Sequence, residues 1–74
     1  MHHKAEMENR CISVHEVAKL LNMGVSTVWY RLKRDEDFPK PFKLGPRKTV
    51  WRLNEVEAYI RRQQERYRNR REKA

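Results

Sequence analysis

The sequence predicts a small α+β fold, a winged helix-turn-helix built from two short helices, a β-hairpin wing and a third helix. Two short amphipathic segments are separated by three residues that include a glycine, which is typical of a helix-turn-helix. A proline-rich stretch, two strand-like segments and a third amphipathic segment follow. With 74 residues the chain can form one domain with a thin core. Such a domain favours an exposed binding surface over an enclosed catalytic cleft.

The first helix is predicted to begin after Ser13. Residues 1–10 are polar and aperiodic, and we expect them to form a flexible arm. Ser13 and Glu16 have the spacing of a capping box, in which each side chain bonds the other residue's backbone amide. The apolar residues of this helix recur at helical spacing and form one stripe: Val14, Val17, Ala18 and Leu21. Asn22 and Gly24 tolerate the left-handed conformation that ends helices.

The second helix is predicted to run from an N-cap at Ser26 to about Arg34. Its inward stripe is apolar and consists of Val25, Val28, Trp29 and Leu32. Residues 26–34 contain no acidic side chain, whereas an ordinary solvated helix surface would mix both charges. We expect the remaining polar and aromatic residues to face outward and to bind DNA: Ser26, Thr27, Tyr30, Arg31, Lys33 and Arg34. Arginine side chains on such a helix can read guanine in the major groove.

A β-hairpin is predicted after the acidic turn at residues 35–37. Pro39 and Pro41 end helical structure and impose an extended path. The strand segments carry apolar residues that could cover the helices, namely Phe42, Leu44, Val50 and Trp51. Basic residues lie at the rim and tip of this wing, where they could contact the DNA backbone or an adjacent minor groove: Lys43, Arg47 and Lys48.

A third helix is predicted to follow an N-cap at Asn54, with Glu57 at the capping-box position. Its core face consists of Val56, Tyr59 and Ile60. From Arg61 onward the apolar pattern ends, and we expect the helix to continue for a turn or two and then fray. Residues 63–74 thus form a basic tail after a domain spanning residues 11–62. The tail arginines that could bind phosphate or a partner protein are Arg61, Arg62, Arg66 and Arg68.

Positive charge is concentrated in two segments of the chain. The net charge is +8; residues 31–52 carry eight basic and three acidic groups, and residues 61–74 carry seven and two. Basic charge clustered in this way is typical of a surface that binds a polyanion. A face that serves only solubility is the alternative interpretation. Double-stranded DNA is therefore the expected partner.

Catalytic and metal-binding signatures are not found in the sequence. It has no Ser/His/Asp set, clustered carboxylates, phosphate-binding glycine loop or zinc spacing, so we expect no enzymatic activity and no cofactor. His2 and His3 lack a further ligand at metal-binding spacing. The single cysteine, Cys11, excludes an internal disulfide. No apolar run suits a membrane span or a signal peptide, so we expect no membrane contact and a cytoplasmic, nucleoid-associated protein.

The motifs resemble those of AlpA-like regulators and phage excisionases, which share a MerR-type winged-helix fold. The most specific run extends from Ser26-Thr27-Val28-Trp29 to Phe38-Pro39-Lys40-Pro41-Phe42-Lys43-Leu44, and the likeness spans about residues 11–62. It implies a prophage or mobile-element protein that binds repeated DNA sites, bends the DNA there, and so directs excision or switches on the integrase gene. Cooperative self-association on DNA and contact with integrase through the tail are further expectations about its partners. Where family members often carry Gly-Gly-Arg at the wing tip, this chain has Gly45-Pro46-Arg47-Lys48.

Two other functions are compatible with the same residues. Small winged helices also occur in phage DNA-packaging and replication subunits, which would bind DNA for another purpose. A protein-interaction adaptor that docks on integrase through the third helix and tail belongs to a different class. The excisionase or integrase-regulator function is the one that we expect first, and these two functions are its alternatives.

Overall fold

The computed structural model describes residues 10–73, so most of the expected N-terminal arm lies outside the described residues. In chain order the elements are β1 (Cys11–Ile12), α1 (Val14–Leu21), α2 (Val25–Arg34), β2 (Phe42–Gly45), β3 (Lys48–Arg52) and α3 (Leu53–Lys73). These elements form the predicted winged helix-turn-helix, and the α+β fold class is confirmed.

Local backbone conformations and hydrogen bonds set both ends of α1 and the start of α2. The Ser13 hydroxyl accepts from the Glu16 amide at 3.3 Å, and the Glu16 carboxylate accepts from the Ser13 amide at 3.4 Å, so the predicted capping box is present. Asn22 ends α1 in the left-handed conformation, with φ 56° and ψ 49°. The prediction that Ser26 caps α2 is wrong. Gly24 occupies the N-cap position in an extended conformation and places Ser26 within the first turn.

The sheet has three antiparallel strands in the order β1-β3-β2, one more than the predicted hairpin. The additional strand is β1, in which Ile12 pairs with Trp51. Cys11, the other residue of β1, is exposed. Arg10 is held in place as well, because its carbonyl accepts from the Leu53 amide at 2.9 Å. The start of the described chain is thus joined to the start of α3.

The core lies between the two short helices, the sheet and the first turns of α3. Its buried members are Ile12, Val17, Ala18, Val28, Phe38, Trp51, Val56 and Tyr59. Trp51 is fully buried, and its indole Nε1 donates to the Pro39 carbonyl at 2.9 Å, which fixes the path of the proline-rich segment. Trp29 was expected to face inward but is partly exposed, with its ring 5.5 Å from that of Trp51.

The wing departs from the expectation that its apolar residues all cover the helices. Val50 is buried, but Phe42 is exposed and Leu44 is 59% exposed. The strands are joined by the two-residue turn 46–47, and the pairing shifts register between Lys43 and Gly45. Proline cannot adopt the positive φ that the commonest two-residue hairpin turns require at their first position. Pro46 therefore excludes the commonest two-residue turns, and Leu44, which lies beside this turn, is exposed.

The third helix is longer than predicted and begins earlier. It starts at Leu53, so Asn54 lies within its first turn and is not the N-cap. It continues without interruption to Lys73, so the expected fraying after Arg61 does not occur. Val56 and Tyr59 are buried and Ile60 is half-buried, which confirms the predicted core face. No helix among the described residues is long and apolar enough to cross a membrane.

Candidate nucleic-acid interface

Five of the six residues predicted on α2 share one exposed side of that helix. Successive residues advance by about 100° around a helix. Val28 and Leu32 point to the core, so positions two residues away from them point to solvent. We call this side the outer face; its members, all exposed, are Ser26, Thr27, Tyr30, Lys33 and Arg34. It presents hydroxyl groups, one aromatic ring and two cations, and no carboxylate.

Tyr30 and Arg34 form a pair at the centre of the outer face. The guanidinium carbon of Arg34 lies 5.0 Å from the centroid of the Tyr30 ring. Tyr30 is 57% exposed, so more than half of the residue is open to solvent. A cation held over an aromatic ring at an exposed site gains about 0.5–1 kcal/mol. The pair restricts the orientation of Arg34 while leaving its donors available to a ligand.

Arg31 is exposed, but it does not lie on the outer face as the sequence predicted. Its Nη1 donates to the Tyr59 hydroxyl at 3.1 Å, and that hydroxyl donates to the Asp35 carboxylate at 2.7 Å. The same carboxylate accepts from the Asp37 amide at 3.0 Å. Arg31 therefore faces α3, and the three side chains join the C-terminal end of α2 to the core helix.

Two pKa values reflect this network. The hydrogen bond from Tyr59 lowers the pKa of Asp35, which outweighs the opposing effect of partial burial. Burial is the main cause that raises the pKa of Tyr59, and the adjacent Asp35 carboxylate adds to it. The neutral phenol and the ionised carboxylate are thus the states that the fold favours near neutral pH. These hydrogen bonds hold the C-terminal end of α2 against α3.

The wing presents its predicted basic residues to solvent. Lys43, Arg47 and Lys48 are all exposed, with Arg47 in the turn and Lys48 paired with Gly45 beside it. An open cleft of about 570 Å³ lies between the wing and the start of α1, and α2 contributes one lining residue, Trp29. The cleft is lined on the wing side by Leu44, Arg47 and Lys48, and on the other side by Ser13, Val14 and Glu16. No residue of the outer face lines this cleft.

The four predicted tail arginines divide into two pairs. Arg62 donates to the Asp37 carbonyl at 3.1 Å, and Arg66 forms an ion pair with the Asp37 carboxylate. That hydrogen bond raises the pKa of Arg66. Arg61 and Arg68 are exposed, with no hydrogen bond or ion pair to any of residues 10–73. Only the second pair is freely available to a polyanion.

A comparison with protein families gives one match. Residues 10–64 match the family described as Prophage CP4-57 regulatory protein (AlpA), which covers well over half of the chain. The chain belongs to the AlpA family. This membership confirms the resemblance predicted over residues 11–62. No curated protein and no solved structure matches the chain significantly.

Membership of the AlpA family makes this a prophage regulatory protein, in a family of DNA-binding regulators. The match ends within α3, after the core residues of that helix and before its last turns. Among the described residues no group of three or more His, Cys, Asp or Glu could hold a metal ion.

Sequence reasoning missed the residues that support the interface. The Arg31–Tyr59–Asp35 network joins side chains that are 24 and 28 positions apart, and no local motif marks it. One signal was present for Asp37: Arg62 and Arg66 are four positions apart and so lie on the same side of a helix. Both contact Asp37 in the acidic turn, Arg62 through the backbone carbonyl and Arg66 through the carboxylate.

Proposed function

We propose that this AlpA-family protein binds double-stranded DNA sequence-specifically and directs the excision of its prophage or the transcription of its integrase gene. The outer face of α2 would lie in the major groove, with Tyr30 and Arg34 at its centre. The observation that carries this proposal is that the outer face is exposed and acid-free while other residues of α2 complete the core. A regulator of this kind would act on the chromosome in the cytoplasm.

The supporting roles follow from where the other cations lie. Ser26 and Thr27 lie in the first turn of α2, where backbone amides and the helix dipole favour a phosphate. Lys43, Arg47 and Lys48 on the wing would contact the neighbouring backbone and so fix the register of the complex. Arg61 and Arg68 would extend the contact with phosphate, whereas Arg62 and Arg66 are engaged by Asp37. Each neutralised phosphate should contribute about −0.9 to the log–log salt slope.

Selection of bound duplexes from a random pool at physiological salt tests the sequence-specific part of the proposal. An enriched motif, present as repeats if copies bind cooperatively, is the expected result. Recovery of unrelated sequences that bind with equal affinity would contradict it. The enriched duplex then allows an excision assay and an integrase-promoter reporter to separate the two biological roles. A motif that lies in a packaging or replication region would instead favour those alternatives.

A pair of matched variants tests the role of the outer face. Arg34→Ala should weaken binding to the selected duplex by about 1–3 kcal/mol and relax the preference at one base position. Arg68→Ala removes the same charge from an exposed site outside the outer face and should weaken selected and random duplexes equally. Gel-shift titrations on both duplexes measure the difference. Equal losses for Arg34→Ala on the two duplexes would exclude base reading by this residue.

A further inference from the structure

A second exposed concavity shares no lining residue with the cleft beside the wing. It is a groove of about 390 Å³ between the C-terminal end of α1 and the middle of α3. We call it the Leu20 groove; it is lined by Leu20, Leu21, Met23, Ile60, Gln63 and Tyr67, with Arg31 and Tyr59 at one end. None of these eight lining residues belongs to the outer face or to the wing.

The floor of the Leu20 groove is apolar and incompletely covered. Leu20 is 45% exposed and Tyr67 is 61% exposed, while Ile60 is half-buried. Ile60, Gln63 and Tyr67 continue the helical stripe begun by Val56, so α3 extends its core-facing side beyond the core itself. Exposure of this apolar surface to water is unfavourable, so an apolar ligand that buries it would bind favourably.

The lining of the Leu20 groove carries one charged side chain, which is the cation Arg31. Its guanidinium lies at one end, where it donates to the Tyr59 hydroxyl at 3.1 Å. Arg71 is a second cation beside the groove, because it donates to the hydroxyl of the lining residue Tyr67 at 3.0 Å. The Nε2 of Gln63 is buried and has no hydrogen-bond partner, a state that costs about 1–3 kcal/mol. An anionic ligand group therefore suits this lining better than a cationic one.

We propose that the Leu20 groove binds an amphipathic helix of a partner protein, with apolar side chains on the floor and carboxylates toward Arg31 and Arg71. Two helices form the sides of the groove, and a third helix fits such a trough by placing apolar residues one turn apart. The cationic rim supplies the complementary charge.

A second copy of this chain is a poorer occupant. The exposed surface of α3 beside the Leu20 groove carries Arg61, Arg68, Arg70 and Arg71. Two copies paired through this surface would bring like charges together as water is excluded, which is unfavourable. The groove shares no residue with the outer face or the wing, so a partner helix should bind while α2 and the wing contact DNA. This inference does not require the proposed DNA binding to be correct.

The test uses a fluorescent synthetic peptide of about 18 residues, long enough to populate a helix in water. Its leucines recur at i, i+3, i+4 and i+7, its flanks carry glutamate, and a twin peptide carries glutamine instead. Anisotropy titrations use the full chain, alone and saturated with a duplex. We expect the glutamate peptide to bind at least about tenfold more tightly than its twin. Equal affinities would overturn the proposal, and so would displacement of the peptide by the duplex.

Substitutions locate the binding site. Leu20→Asp should weaken the glutamate peptide by about tenfold or more, because it places a carboxylate on the apolar floor. Gln63→Glu removes the unpaired donor, repels the peptide and serves as a second variant if Leu20→Asp perturbs α1. Leu44→Asp changes an exposed leucine on the wing and should leave the affinity unchanged. Unaltered binding by both groove variants would refute the assignment. A dimer in sedimentation that Leu20→Asp dissociates would make a second copy the occupant instead.

Discussion

Removal of one hydroxyl group should measurably loosen the end of α2. Tyr59→Phe keeps the ring that packs on Phe38 at 5.0 Å but deletes the oxygen that donates to Asp35 at 2.7 Å and accepts from Arg31 at 3.1 Å. Hydrogen bonds to charged groups contribute about 1.5–3 kcal/mol each. Both charged partners are partly solvated and regain water after the substitution. We therefore expect the free energy of unfolding to fall by about 1–2 kcal/mol in total.

Thermal and urea unfolding followed by far-UV circular dichroism provide the assay. In a domain of this size each 1 kcal/mol corresponds to about 4–8 °C, so the Tm of Tyr59→Phe should fall by about 5–15 °C. Tyr67→Phe is the matched control, because its exposed hydroxyl accepts only from Arg71 and its removal should cost under about 0.5 kcal/mol. If the two variants unfold at the same midpoint as the unmodified chain, the network does not hold α2 in place.

Three further outcomes follow from other contacts. Ser13→Ala removes a hydroxyl that caps α1 and should cost about 1 kcal/mol in urea unfolding; an unchanged midpoint would count against the capping box. Trp51→Phe leaves the buried Pro39 carbonyl without its donor and should lower the free energy of unfolding by about 1–3 kcal/mol. Unchanged stability together with altered native-state fluorescence would contradict this and would show that a repacked core compensates. The lowered pKa of Asp35 stabilises the fold fully above about pH 4, near its ordinary value of 3.8, and this stabilisation is lost as the pH falls through the lower native pKa. Asp35→Asn should therefore flatten the acid limb of a stability–pH profile, and an unchanged limb would assign acid sensitivity to other carboxylates.

Local patterns in the sequence were sufficient for most of the fold. The capping box at Ser13 and the stripes of α1 and α2 depend on contacts within one helical turn, and these were predicted correctly except for Trp29, which is partly exposed. The β1 strand was missed because two residues carry no periodicity, and their pairing with β3 is a long-range contact. The cap at Ser26 was wrong because its hydroxyl chemistry suited a cap, whereas the extended backbone at Gly24 ends the turn two residues earlier.

The candidate site was predictable where exposure follows from helix geometry and not where side chains meet across the fold. The members of the outer face follow from the spacing of Val28 and Leu32. The partners of Arg31 and Arg66 do not, since both lie on elements distant in sequence. Composition alone does not distinguish one arginine from another. The structure separates the arginines that bond to carboxylate or phenol oxygens from those that are exposed to solvent. The DNA-binding roles themselves remain predictions.

Because α3 is continuous, the direction of each side chain in its C-terminal half depends on the number of residues that precede it in the helix. In a flexible tail an inserted residue would merely lengthen the chain. In a continuous helix one alanine inserted after Gln63 rotates everything beyond it by about 100° and advances it by about 1.5 Å. Arg66 would then point away from Asp37, while Arg68 would turn to a new side of the molecule. Length changes in this segment are therefore tolerated, or not, according to the angle they add.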